Sequence, residues 1–151
     1  MFPTPTICTH EWWDAGGEFV YAVSYGRDDT RGLPSGTLKI DPQTAALTLA
    51  WPAWNWHAHD WDRGRWFVGD RRGTEFYRGC PSSVWFMNSD TGKEIAIVSH
   101  NPEHFTAGQQ YHIDPHPRFS PDGSWIVFTT TVRGRVDVAI ARTADLVERT
   151  I

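Results

Sequence analysis

Short apolar runs separated by polar turns follow one another along this chain, and the spacing of an amphipathic helix is absent from the sequence. The strongest runs are Phe19–Val23, Trp66–Val68 and Trp125–Phe128. Each run is continuously apolar and rich in aromatic and β-branched residues, which indicates strands that are buried on both faces. The pattern therefore predicts an all-β fold built from sheets packed face to face.

Three segments repeat one theme, in which a short strand, a tight turn with Asp or Gly and an apolar strand follow each other. The repeats start near Thr9, His57 and His116, about fifty residues apart. Repeats of this kind are typical of propeller blades, in which four-stranded sheets surround a central channel. We expect one partial β-propeller domain over residues 1–151, with about three four-stranded antiparallel blades at residues 9–51, 56–99 and 112–151.

The third blade is predicted to contain four strands, like the first two. In this blade we predict strands at residues 116–119, 124–130, 136–141 and 147–151, with a turn at 143–145 before the last strand.

Propellers usually have about four to eight blades, so three blades do not close a ring. Open blade faces and strand edges call for a partner. The sequence thus predicts a homo-oligomer.

Composition narrows the classes of partner. A formal charge of −4 argues against nucleic acid, and the sequence has no run of about 18 apolar residues that could span a membrane. The two cysteines, Cys8 and Cys80, lack zinc-ligand spacing. Residues 1–6 lack the basic and apolar regions of a signal peptide, which favours a cytoplasmic location, or a periplasmic one if a leader has been removed.

Histidines occur at matching places in the repeats. Aligning the repeats on their turns makes His57 and His116 equivalent and leaves His10 one place away, so the inner strands of neighbouring blades would bring them together. His59 lies two residues after His57 and points the same way along a strand. The loop before the third blade adds an amide, a further imidazole and the carboxylate of Asp114 near the same channel mouth. The candidate metal ligands are therefore His10, His57, His59, Gln110, His112 and His116.

Two interpretations of these histidines stay open. Imidazoles combined with oxygen donors suit a divalent cation such as Mn, Fe, Ni or Zn, and the amide of Gln110 favours the harder of these cations. A histidine on an inner strand is also commonly a structural residue, whose ring forms a hydrogen bond to the next blade without any metal.

Arginines form the densest positive cluster of the sequence. Its members are Arg63, Arg65, Arg71, Arg72 and Arg78. Such residues either present guanidinium forks to the carboxylates of a polyanion or form a solvated rim. On the first interpretation, Arg63 and Arg65 are candidate substrate contacts.

Four sequence elements carry a family resemblance. They are Thr9–Trp13 (Thr-His-Glu-Trp-Trp), Trp56–His59, Phe67–Asp70 and Asp114–Phe128, the last with a Ser-Pro-Asp-Gly turn. Their order and spacing resemble the later blades of the oligogalacturonate lyase family across nearly all of the chain. The resemblance implies a seven-bladed β-propeller that holds a divalent metal, manganese foremost. It also implies a lyase that cleaves short pectin fragments, which are acidic oligosaccharides (oligogalacturonides), by β-elimination.

The resemblance also implies roles for individual residues. The implied metal ligands are His10, His57 and His116, with Gln110 or His112 completing the shell. The tryptophans that would stack on sugar rings are Trp12, Trp54 and Trp56. The basic residue that removes a proton from the sugar is not placed by the sequence.

A non-enzymatic alternative rests on the turn Ser120–Gly123. This Ser-Pro-Asp-Gly turn also resembles those of TolB-like propellers and of the propeller domains of prolyl peptidases, so it indicates the fold and not the activity. On this alternative the chain is a TolB-like binding or assembly module, or a fragment without activity, and its histidines are structural.

Overall fold

Three antiparallel sheets follow one another along the chain. The computed structural model describes residues 8–25, 34–72, 81–102 and 113–151, and within these ranges it contains eleven strands and one short helix. The first sheet has the order β1 (Cys8–Trp13), β2 (Val20–Ser24), β3 (Gly36–Ile40), β4 (Leu47–Trp51). The second has the order β5 (His57–Trp61), β6 (Trp66–Arg72), β7 (Ser82–Asn88), β8 (Lys93–Asn101). The third contains β9 (Arg118–Phe119), β10 (Trp125–Thr130) and β11 (Asp137–Arg142), and α1 (Thr143–Arg149) follows it.

The predicted all-β, propeller-like architecture is confirmed, with one correction in the third sheet. Residues 147–151 do not form a fourth strand, because α1 occupies Thr143–Arg149. The helix has Asp145 in its first turn and Arg149 in its last, which suits the helix dipole. It buries Leu146 against the apolar core of the third sheet. Two turns of helix are too short for a 3.6-residue period to be visible in the sequence.

The second sheet is packed on both faces, as its apolar strands predict. On β6, Phe67 belongs to a core shared with the first sheet, and the next residue, Val68, belongs to a core shared with the third. Successive side chains of a strand point to opposite faces, so both faces of β6 are covered. The core toward the first sheet is formed by Tyr21, Trp51, Phe67 and Met87. The core toward the third is formed by Val68, Val84, Phe86, Phe119, Ile126, Phe128 and Leu146.

The inner strand of each sheet lies beside the inner strand of the next. Strand β5 contacts β1 on one side and β9 on the other. The three inner strands therefore lie side by side, and the candidate site is formed where they meet.

The outer face of the third sheet carries apolar side chains. On β11, Val138 and Ile140 are 75% and 64% exposed. The predicted homo-oligomer would depend on surfaces of this kind and stays a prediction, as does the single partial domain over residues 1–151. Among the described residues, no helix has the length and apolar character needed to cross a membrane.

Gly123 allows a prediction about how the second and third sheets pack. Its φ is 70°, and an added Cβ would overlap the indole ring of Trp61. Gly134 has a similar φ of 73° with open space around it. We expect Gly123→Ala to lower the free energy of unfolding by about 1–3 kcal/mol more than Gly134→Ala. Both variants place an alanine at an unfavourable positive φ, but only the alanine at position 123 also overlaps a neighbouring side chain. Urea unfolding measures both variants. Equal losses would contradict the close packing of Trp61 on this turn.

Candidate metal centre

The hairpin of β5 and β6 places His57 opposite a buried carboxylate. Its tight turn uses positive φ angles at Asp62, Arg63 and Gly64. Counting outward from this turn, the ladder pairs His57 with Asp70. One carboxylate oxygen of Asp70 accepts the backbone N–H of His57 at 2.8 Å, and the other lies 2.9 Å from Nδ1 of the imidazole.

Asp70 fixes the orientation of the His57 ring. The carboxylate is 2% exposed and, when ionised, can only accept hydrogen bonds. In the neutral imidazole, this contact favours the tautomer with its proton on Nδ1, which leaves the lone pair on Nε2. A carboxylate behind a histidine in this way sets the tautomer and increases the basicity of metal-ligating imidazoles. His57 is thus prepared to bind a cation through Nε2.

The same carboxylate also holds the backbone of His116. Oδ2 of Asp70 accepts the N–H of His116 at 3.1 Å. His116 lies between Pro115 and Pro117 and has a φ of 44°, a left-handed conformation that is unfavourable for a residue with a Cβ. Such strain persists only where the surroundings enforce it and is concentrated at functional sites.

A β-bulge places the third imidazole. The ladder between β1 and β2 pairs Thr9 with Val23 and Trp12 with Tyr21, and its register shifts between these pairs. His10, inside the bulge, has a φ of 54°. Bulges redirect side chains next to functional sites. In this structure the bulge turns the His10 ring toward His57.

The three imidazoles converge. The ring centroids of His57 and His116 are 3.5 Å apart, those of His10 and His57 are 4.2 Å apart, and those of His10 and His116 are 6.2 Å apart. They border a cavity of about 70 Å³. The residues that line this cavity are His10, Glu11, Trp12, His57, Ala58, His116, Pro117 and Arg118.

A carboxylate completes a set of possible ligands. One ligand atom each from His57, Asp114 and His116 lies within 4.8 Å of the others. Asp114 is also held by Arg72, whose guanidinium nitrogen lies 2.6 Å from its Oδ1. Two imidazoles and a carboxylate suit Mn, Fe or Zn, so the donor chemistry fits the divalent metal that the sequence implies. His10 lies beside this set and not within it.

Electrostatics keep two of the imidazoles neutral. Burial lowers the pKa of His10, and the neighbouring His57 and His116 lower it further. Burial and then His57 also lower the pKa of His116. A neutral imidazole has the lone pair that binds a metal or accepts a proton.

His59 makes a structural contact. Its Nδ1 accepts the backbone N–H of Phe119 at 3.4 Å, which links the second and third sheets. Burial, with a smaller contribution from Arg118, lowers its pKa to about 4. His59 does not line the cavity. The other two candidates, Gln110 and His112, lie outside the described residues.

The predicted tryptophan contacts differ in their surroundings. Trp12 lines the cavity, and its indole N–H donates to Asp60 at 2.8 Å. Trp56 is 6% exposed and packs against Tyr25 and Trp54, with ring centroids 5.0 and 6.0 Å away. Trp54 is partly exposed. Of these tryptophans, Trp12 is the one at the cavity.

Arg63 and Arg65 lie at the other end of the hairpin. Both belong to the β5–β6 turn, about 16 Å along the strand from His57 at 3.3 Å per residue. Arg63 lies 3.6 Å from Glu18, and Arg65 lies 2.6 Å from Asp90. The structure therefore does not bring them to the histidines. The arginine that lines the cavity is Arg118, which the sequence did not single out as a substrate contact.

Comparisons with known proteins find oligogalacturonate lyases and other propellers that are similar to this chain. No family model matches the chain. An oligogalacturonide lyase of Pectobacterium atrosepticum is 30% identical over 93% of this chain and 38% of the relative. A solved oligogalacturonate lyase in complex with manganese is 27% identical, with a TM-score of 0.60, over 89% of this chain and 35% of that one. TolB from Acinetobacter baumannii, at 12% identity and a TM-score of 0.66, shows the fold alone.

The resemblance to oligogalacturonate lyases is thereby confirmed. The chain spans about 38% of the length of the curated relative it matches.

Proposed function

We propose that this chain forms the metal-binding part of an oligogalacturonate lyase-like propeller, in which a divalent cation, manganese foremost, assists β-elimination on short galacturonides. The observation that carries the proposal is the convergence of His57, Asp114 and His116 on one point, with Asp70 behind His57. A purely structural set of histidines has no need of a shared carboxylate that orients one ring and holds the backbone of another. The similarity to a lyase in complex with manganese supports the choice of metal.

The reaction requires the removal of a weakly acidic proton. In β-elimination the base takes the C5 proton of a galacturonate, the C4–O bond breaks, and a C4=C5 double bond forms. When bound, a divalent cation supplies positive charge beside the C6 carboxylate, which makes this proton easier to remove. The protein's own task is to hold the sugar and to accept the proton.

His10 is the proposed base. Its ring lies 4.2 Å from that of His57, yet it is outside the set of atoms that can share one cation. Its lowered pKa keeps the imidazole neutral and able to accept a proton near pH 7. It is exposed on the wall of the cavity, where a sugar can reach it. Trp12, the next aromatic residue on this wall, would stack on the sugar ring.

An assay with a defined substrate tests the proposal. The chain is incubated with digalacturonate and Mn²⁺, and the absorbance of the unsaturated product is followed. We expect product with Mn²⁺ and none with EDTA. A chain that binds Mn²⁺ and digalacturonate without forming product would contradict the catalytic part of the proposal. A chain that binds neither would favour the TolB-like module with structural histidines.

Metal binding should also stabilise the fold. A ligand that binds only the folded state adds about 2.7 kcal/mol to the free energy of unfolding at 100 times its dissociation constant. We therefore expect Mn²⁺ to raise the unfolding temperature by several degrees and EDTA to reverse the shift. Differential scanning calorimetry measures it. An unfolding temperature that does not respond to Mn²⁺ would contradict a site formed by the folded chain.

A further inference from the structure

Arg118 brings a positive charge to the wall of the cavity. On the short strand β9, Phe119 points into the apolar core, so Arg118 points to the opposite side. The strand is held in place by the hydrogen bond from the N–H of Phe119 to His59 and by pairing of Arg118 with Val127. Arg118 lines the same cavity as His10, His57 and His116.

Within the described residues, the guanidinium of Arg118 has no carboxylate partner, whereas Arg71 and Arg72 each have one. Arg72 is bonded to Asp114, and Arg71 lies 2.9 Å from Glu94. Over residues 8–25, 34–72, 81–102 and 113–151, no carboxylate lies within 4.0 Å of the guanidinium of Arg118. Its field nevertheless reaches the site, since it contributes to the lowered pKa of both His59 and His116.

We infer that Arg118 binds a second carboxylate of the substrate, that of the uronate residue next to the one held at the metal centre. This inference rests on the proposed function and names its substrate more closely. A guanidinium is a planar fork that fits a carboxylate through two parallel hydrogen bonds. The first carboxylate would bind at the cation that His57, Asp114 and His116 would hold. The substrate is then a chain of at least two adjacent uronates, and a single galacturonate lacks the group that Arg118 recognises.

Binding measurements on matched variants test the inference. All proteins carry His10→Gln, so that the substrate is not consumed, and are loaded with Mn²⁺. Isothermal titration calorimetry measures the affinities for digalacturonate and for galacturonate in three proteins: the one with Arg118 unchanged, the Arg118→Gln variant and the Arg118→Lys variant. Arg133→Gln is the control, because Arg133 is exposed in the turn before β11, outside the cavity.

The expected pattern is specific to the second carboxylate. Arg118→Gln weakens digalacturonate binding about 10- to 100-fold, as the loss of a hydrogen bond to a charged group does. It changes galacturonate binding less than about threefold, and Arg118→Lys recovers part of the affinity through charge alone. Arg133→Gln leaves both affinities unchanged, and Mn²⁺ affinity is not weakened in any of these arginine variants.

Two results would overturn the inference without touching the proposed function. In one, Arg118→Gln binds digalacturonate as tightly as the unchanged arginine. In the other, it weakens galacturonate and digalacturonate equally, which would mean that Arg118 serves the first carboxylate. If the protein with Arg118 bound neither sugar although it held Mn²⁺, the proposed function itself would fail. Thermal unfolding of each variant shows that a lost affinity is not lost folding.

Discussion

We expect the replacement of His57 with alanine to raise the dissociation constant for Mn²⁺ by more than about 100-fold, because losing a ligand costs more than losing a residue that only orients one. His57 is the most buried of the three imidazoles, and Asp70 fixes its tautomer and its direction. The substitution removes one of the three proposed protein ligands and leaves Asp70 without its ring partner. Isothermal titration with Mn²⁺, or the electron paramagnetic resonance signal of free Mn²⁺, measures the change.

A control and a companion variant sharpen this result. His100→Ala removes an exposed histidine of β8 and should leave Mn²⁺ affinity unchanged. Asp70→Asn keeps the size of the side chain but removes its charge, and we expect a loss of about 10- to 100-fold, the range for a residue that orients a metal ligand. If His57→Ala and His100→Ala bound Mn²⁺ equally, the site would not be the one described.

If His10 is the base, we expect His10→Gln to lower kcat on digalacturonate by about 10²- to 10⁴-fold, the contribution of a general base. Mn²⁺ affinity should change less than about threefold, because His10 lies outside the ligand set. Glutamine retains similar size and polarity, so the cavity is preserved. Absorbance of the unsaturated product gives kcat, and titration calorimetry gives the metal affinity.

Glu11 supplies the matched control for this experiment. It lines the same cavity beside His10 and, apart from the proposed ligands His57 and His116, could also take a proton. Glu11→Gln should retain kcat within a few-fold if His10 is the base, whereas a large loss would transfer the role to Glu11. A His10 variant that loses Mn²⁺ and activity together would make His10 a fourth ligand instead.

The fold was largely predictable because its turns are strongly marked. Asp, Asn and Gly at the turns delimit the strands of the first two sheets, and the observed sheets, at residues 8–51 and 57–101, begin and end within two residues of the predicted blades at 9–51 and 56–99. Helix α1 was missed because Thr143–Arg149 is only seven residues long. Its stability comes from Leu146, which is buried in the third sheet's core, and this tertiary contact leaves no periodic signal in so short a segment.

The site was predictable where it follows the repeat. Equivalent positions in neighbouring inner strands place His57 and His116 together, as the alignment of turns implies. The approach of His10 depends on a bulge and a left-handed φ that spacing does not reveal. His59 points the same way as His57 along the strand, but its Nδ1 accepts the backbone N–H of Phe119 and it does not line the cavity, and spacing alone does not reveal either contact.

The two carboxylates of the site differ in whether strand register predicts their position. Asp70 could have been identified by counting outward from the β5–β6 turn, which pairs it with His57. Asp114 was expected near the channel mouth from its place in the loop before the third blade, but its contact with Arg72, 42 residues away in the chain, is not specified by local sequence.

Anomalous diffraction from crystals grown with Mn²⁺ would locate the bound metal itself. We expect one strong anomalous peak at the cavity, about 2.0–2.3 Å from Nε2 of His57 and within bonding distance of His116 and Asp114. A map without a peak there, or with Mn²⁺ bound only at surface carboxylates, would contradict the proposed metal centre.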